Sequence, residues 1–128
     1  MKLDPIKLHQ AIRTISPNSQ FSCEGDCYEG LTWYNDEYQP SEEEIVQKVA
    51  ELEYQEEVNE YQRQRAAEYP SYADQFDQIF HEGVDAWKRT ILDIKKKYPK
   101  QVMEPEVLAE RQRQALADLE ESREEEST

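Results

Sequence analysis

Apolar side chains recur at helical spacing along most of this chain, and the interruptions between the runs mark its elements. Ile6, Leu8, Ile12 and Ile15 follow Asp4-Pro5. Asp4 suits an N-cap and Pro5 the first helical position, where a missing N–H costs no hydrogen bond. The pattern predicts an amphipathic helix of about ten residues, stopped by Ser16-Pro17-Asn18. Alternation then replaces helical spacing. Phe21–Cys23 and Leu31–Tyr34 read as short strands, with Gly25-Asp26 or Glu29-Gly30 supplying the turn. Leu31 and Trp33 share one face of the second strand, expected to lie on the first helix. A helix and hairpin of this size, residues 1–40, need a cover to be stable.

Pro40-Ser41-Glu42-Glu43-Glu44 announces that cover. Ser41 and Glu44 have capping-box spacing, and acids in a first turn suit the positive end of the helix dipole. One helix is predicted from about Glu42 to about Glu68, since neither glycine nor proline interrupts it. It changes face midway. Ile45, Val49 and Leu52 form one stripe, and Tyr54, Val58 and Tyr61 form another, displaced by about half a turn. Tyr69-Pro70-Ser71 ends it. A short helix follows with Tyr72, Phe76, Ile79 and Phe80 on one apolar face, then Gly83 as a stop. The next helix, about Val84–Tyr98, presents Trp87, Ile91, Ile94 and Tyr98. Residues 41–100 therefore read as a long helix plus a helical hairpin closing a small three-helix core.

Residues 101–128 read as a helical tail opened by Pro105, with a thin apolar set of Leu108, Ala115, Leu116 and Leu119. Such a helix is marginal alone. It is expected to dock on a partner or on a symmetry copy, with Arg123–Thr128 disordered, and its removal from Lys100 onward is expected to leave a folded fragment. The predicted fold class is mainly α, with a small α+β N-terminal cap (helix plus β-hairpin), one long helix, a helical hairpin and a C-terminal helical extension.

Composition narrows the picture. The chain has 128 residues, 37% hydrophobic and 34% charged, with a mean hydropathy of -1.05. That is polar for a compact body, so part of the chain is expected to complete its core against something else. The net charge of -14 repels phosphate backbones and argues against nucleic acid. Charge is also segregated: Ser41–Glu60 holds eight acids against Lys48, while Val84–Lys100 holds six bases against Asp85 and Asp93. No apolar run reaches the length of a membrane span, and Asp4, Lys7, His9 and Arg13 break up any secretion signal. Synthesis and folding in a cytoplasm are expected.

Candidate chemistry is sparse. Cys23 and Cys27 face each other if the turn centres on Gly25, and either a bridge or two thiols fits. With His9 and His81 they would make a Cys2His2 set, but the spacing matches no common zinc site. His81 suits the end of a helix for its dipole alone. Paired acids such as Glu42–Glu44 and Glu124–Glu126 read as a cap and a solvated tail. Three glycines leave no phosphate loop, and no GxSxG is present. Nothing calls for an enzyme, a metal or a cofactor. The eight tyrosines point instead to protein interfaces, where tyrosine is enriched. The interface residues expected are Tyr54, Val58 and Tyr61 on the long helix and Leu108, Leu116 and Leu119 on the last.

The stretch Tyr61–Phe80 resembles small structural proteins of tailed bacteriophages. Their segment reads R-x-x-x-Y-P-x-x-x-D-Q-[LF]-D-x-[IL]-[YWF], followed by a glycine turn and a helix ending K-x-K-Y-P. Here the matching residues are Arg65, Tyr69, Pro70, Asp74, Gln75, Phe76, Asp77, Ile79 and Phe80, then Gly83 and Lys95–Pro99. Ser16-Pro17-Asn18, Gly25-Asp26 and Leu31-Thr32-Trp33 are similar to the N-terminal part of tail-fibre-region proteins. The resemblance covers roughly residues 5–100 and has no counterpart for the tail. It implies a non-enzymatic virion protein, a tail-fibre or baseplate adaptor that bundles with other tail subunits as a homo- or hetero-oligomer. Two rivals are a fibre assembly chaperone absent from the finished particle, and an acidic DNA mimic that inhibits a host protein through Glu42–Glu44, Glu56 and Glu57.

Overall fold

The computed structural model describes residues 2–26 and 28–127, with Ser127 by its backbone alone. It is mainly α with a small α+β N-terminal cap. In chain order the elements are α1 (Pro5–Ile15), β1 (Phe21–Cys23), β2 (Leu31–Trp33), α2 (Glu42–Glu68), α3 (Tyr72–Glu82), α4 (Val84–Lys97) and α5 (Pro105–Ser127). Their ends follow local chemistry. Asp4 accepts from the Ile6 N–H at 2.9 Å, Ser41 Oγ from the Glu44 N–H at 3.2 Å, and Ser71 Oγ from the Asp74 N–H at 3.1 Å. Each satisfies a donor that a helix start leaves open.

The two strands pair antiparallel, Phe21 with Trp33 and Cys23 with Leu31. The register puts Leu31 across from Cys23, whose Sγ lies 3.4 Å from the Gly25 carbonyl. The expected Cys23–Cys27 relationship involves a residue outside those described. A single 3-10 turn, Tyr28–Gly30, leads into β2. Glycine is required at position 30, because a Cβ there would sit 1.9 Å from the Glu24 carbonyl oxygen.

The chain divides into two compact units, one formed by Met1–Gln55 with Met103–Thr128 and the other by Glu56–Val102. The core of the first gathers Leu3, Leu8, Ala11, Ile12, Ile45, Val46, Val49 and Leu119. Phe21, Leu31 and Trp33 pack on it from the hairpin, as the strand alternation predicts. His9 stacks on Phe21 with ring centres 5.2 Å apart, and the Arg13 guanidinium lies over the same ring at 4.9 Å. Arg13 also donates to the Ser19 and Pro17 carbonyls, which ties the link between α1 and β1.

The terminal helix departs from expectation. Leu119 is 1% exposed, at the centre of the first unit. Glu104 N–H donates to Tyr54 Oη at 3.1 Å, Gln112 Nε2 reaches the Gln47 carbonyl at 3.5 Å, and Arg123 pairs with Glu42 and Glu43 at 2.9 and 2.7 Å. These contacts run α5 antiparallel along the first half of α2. Residues 101–128 are therefore no free tail, and the helix continues through Arg123 instead of fraying there. The expected boundary at residue 41 also moves, because the first half of α2 belongs with residues 1–40.

In the second unit Val58 and Tyr61 are the buried apolar side chains. Arg65 of α2 donates to the Tyr98 carbonyl at 2.8 Å and to the Lys95 carbonyl at 3.2 Å, while Glu68 accepts from Lys97 and from the Tyr98 hydroxyl. Arg65 thus caps the last turn of α4, whose carbonyls otherwise lack donors, and Glu68 holds two side chains of the same end. The three-helix core expected here is only partly built. Neither α3 nor α4 contributes a fully buried side chain.

Candidate protein interface

The helix pair α3–α4 turns on Gly83, whose φ of 90° favours glycine. Gly83 N–H donates to the Ile79 carbonyl at 3.0 Å and closes α3. Across the turn the helices meet along a polar seam. Trp87 Nε1–H donates to Gln75 Oε1 at 3.0 Å, and Gln78 Nε2 donates to Thr90 Oγ1 at 2.8 Å. An indole packed against protein needs an acceptor for its N–H, and Gln75 supplies it. Ile79, Trp87, Ile91 and Ile94 are half-buried around these bonds.

Because glutamines take the seam, the aromatic residues of α3 are left outside. Tyr72 is 81% exposed, Phe76 68% and Phe80 84%. They stand at i, i+4 and i+8, one line along the helix. Val84 and Leu92 of α4 are also exposed, at 49% and 51%. At about 100° per residue, Tyr72, Phe76 and Phe80 lie a quarter turn forward from the seam on α3, and Val84, Lys88, Leu92 and Lys95 a quarter turn forward on α4. The chain turns back at Gly83 and both helices are right-handed. A quarter turn forward from the seam therefore reaches the same side of the pair on each helix. The result is one open face, with aromatics on one helix and aliphatic and lysine side chains on the other.

The charge on the two helices is opposite. Asp74, Asp77 and Glu82 are carried by α3 with no lysine or arginine, whereas α4 carries Lys88, Arg89, Lys95, Lys96 and Lys97 against Asp85 and Asp93. The first unit holds 20 acids against 7 bases, and the second 9 against 8. Nearly all of the net charge resides in the first unit.

The six residues expected at an interface lie elsewhere and turn inward. Tyr54 is buried beneath the Arg111 guanidinium, 5.2 Å from its ring. Tyr61 is buried with Arg65 at 4.9 Å over its ring, and Val58 is buried beside it in sequence. Leu119 is in the core of the first unit, with Leu116 packed against it, and Leu108 is half-buried. These positions hold the chain together. The face on α3 and α4 was legible as an apolar helical stripe, but periodicity alone assigns such a stripe to a core.

The remaining candidates are structural. The acids proposed for DNA mimicry are engaged in part: Glu42 is buried and paired with Arg123, Glu43 shares that arginine, and Glu44 accepts from the Tyr38 hydroxyl. Tyr28, behind them, donates to the Pro40 carbonyl at 3.3 Å, and its pKa is raised first by burial and then by Glu42 and Glu43. Among the described residues no cluster of three His, Cys, Asp or Glu side chains is arranged to hold a metal, and no helix is long and apolar enough to cross a membrane. A cleft of about 430 Å³ is lined by Glu57, Glu60, Tyr61, Gln64, Lys97, Tyr98, Pro99 and Gln101. Comparison with known protein families, with curated proteins and with solved structures finds no match to this chain.

Proposed function

We propose that this chain is a non-enzymatic structural protein of a bacteriophage tail, an adaptor of the fibre or baseplate region that binds other tail subunits. The observation that carries the binding role is the line Tyr72, Phe76, Phe80, exposed along a helix whose adjacent side is fixed by hydrogen bonds to α4. Large aromatics held in solvent by a fixed helix cost free energy unless a partner covers them, and aromatic residues are enriched in interface cores. The phage-tail assignment draws on the sequence resemblance, and its motif overlaps this site. Phe76 and Phe80 are motif positions on the open face, and Gln75 and Ile79 are motif positions at the seam.

Two measurements test the reading. Mass spectrometry of purified virions should find the chain in stoichiometric amount, and light scattering should detect its complex with a fibre or baseplate subunit. Absence from virions together with failure to bind any tail subunit would overturn it. Presence in a subunit complex but not in virions would make the chain an assembly chaperone instead.

A further inference from the structure

We infer that α5 is a salt-dependent strap: like charge opposes its seat on the first unit, and rising ionic strength closes it. Residues 103–128 carry 9 acids against 3 bases, and residues 1–55, the body they lie on, carry 11 acids against 4. Two strongly negative parts of the chain are therefore packed together. The opposition has a place in the structure. Asp4 at the cap of α1, Glu53 of α2 and Asp118 of α5 line one cleft of about 190 Å³ together with Val46 and Val49, and Lys2 is the only base on its lining. Glu53 and Asp118 are both exposed. The last turn of α5 adds Glu124, Glu125 and Glu126 and no base, at the end of a helix where the dipole disfavours acids.

What holds α5 down acts at short range. Leu119 shares one core with Ile45, Val46 and Val49, Glu104 N–H donates to Tyr54 Oη, and Arg123 pairs with the buried Glu42. Salt screens exposed charges and affects buried pairs much less. The repulsion therefore fades as salt is added while the attachments persist, and that difference sets the sign of the response. Between ionic strengths of about 0.01 and 0.15 M the screening length shortens from about 30 to about 8 Å. Acids that all repel one another in dilute buffer then act only on near neighbours. When the strap lifts, Ile45, Val46 and Val49 lose the cover of Leu119, so ionic strength controls how much apolar surface the first unit shows.

Hydrogen exchange of the full chain in potassium chloride, read peptide by peptide by mass spectrometry, tests the strap. Exchange along α5 should slow by about tenfold between those two ionic strengths. The second unit is the internal reference, because its 9 acids and 8 bases nearly balance, and exchange in α3 and α4 should change little. Glu53→Gln and Asp118→Asn should each slow α5 exchange in dilute buffer and reduce its salt dependence. Glu53 is carried by α2, so its effect on α5 reports repulsion across the seat and not a change in the intrinsic helicity of α5. Exchange along α5 that is unchanged or faster in salt overturns the inference. Equal slowing in both units, the mark of a general salt effect, does the same. So does slowing by salt that Glu53→Gln fails to reproduce, since the repulsion would then lie within α5 alone.

Discussion

Arg123 donates to Glu42 at 2.9 Å across 81 positions of sequence, and this pair joins the last helix to the start of the longest one. Glu42 is buried, and its Oε2 finds no hydrogen-bond partner in the protein. Arg123 is therefore the charge that makes burying this carboxylate tolerable, since an uncompensated buried charge is strongly unfavourable. Arg123→Ala should lower the melting temperature, and adding Glu42→Gln to that variant should restore part of the loss. A double-mutant cycle by thermal denaturation measures the coupling, and simple additivity would show that the two side chains act independently.

Leu119 fills the centre of the first unit, so Leu119→Ala should cost about 2–5 kcal/mol in urea denaturation. Leu108→Ala, at a half-buried site, should cost clearly less. Deleting residues 101–128 should remove cooperative melting of the first unit, which amide NMR dispersion would report.

Gly30 and Gly83 need glycine for different reasons. At Gly30 a methyl group collides with backbone, and Gly30→Ala should cost about 1–3 kcal/mol through forced displacement of the 24–30 turn. At Gly83 a Cβ meets nothing within 4 Å, so Gly83→Ala should cost only the penalty of an extended, positive-φ backbone (φ 90°, ψ 167°) that glycine alone adopts readily, about 1–3 kcal/mol. Chemical denaturation measures both costs, and a loss at neither position would contradict this account.

The indole N–H of Trp87 has Gln75 as its acceptor. Trp87→Phe keeps a ring at the α3–α4 seam but removes the bond, and should destabilise by about 1 kcal/mol. Gln75→Leu in the same chain should recover part of it, because the orphaned amide is then gone too.

Stability should form a plateau in pH. Arg123 holds the Glu43 carboxyl below its ordinary value, and Lys97, then Tyr98, do the same for Glu68. A lowered carboxylate value contributes stability above the ordinary value of 4.5 and loses it as pH falls through the lowered one. Tyr98 is raised chiefly by its bond to Glu68, Tyr38 by its bond to Glu44, and Tyr28 by burial. Their contribution is complete below the ordinary value of 10.0 and is lost as pH rises through the raised values. Melting temperatures recorded across pH should fall at both ends, and Glu68→Gln should soften the acid limb.

What was legible in the sequence was local. Asp4-Pro5, Ser41 with Glu44, Ser71 and Gly83 each set a helix end through atoms within four residues, so boundaries followed from short-range chemistry. The destination of α5 was not, because the burial of Leu119 depends on Ile45 and Val46 more than seventy positions away. Leu3 was missed for a related reason: a backbone bond of 2.6 Å from its N–H to the Asp26 carbonyl draws it into the core. The exposure of the α3 aromatics was hidden because polar side chains overrode periodicity. Gln75 and Gln78 satisfy the indole and Thr90 at the seam, which turns Tyr72, Phe76 and Phe80 outward.

The position of Leu119 sets an order of events during synthesis. Every contact within residues 56–102 is available once that stretch has left the ribosome, and domains of short contact range close quickly. The first unit must wait for α5. Until then Ile45, Val46 and Val49 lack one of their covers, so the half of the chain made first is the half that finishes folding last.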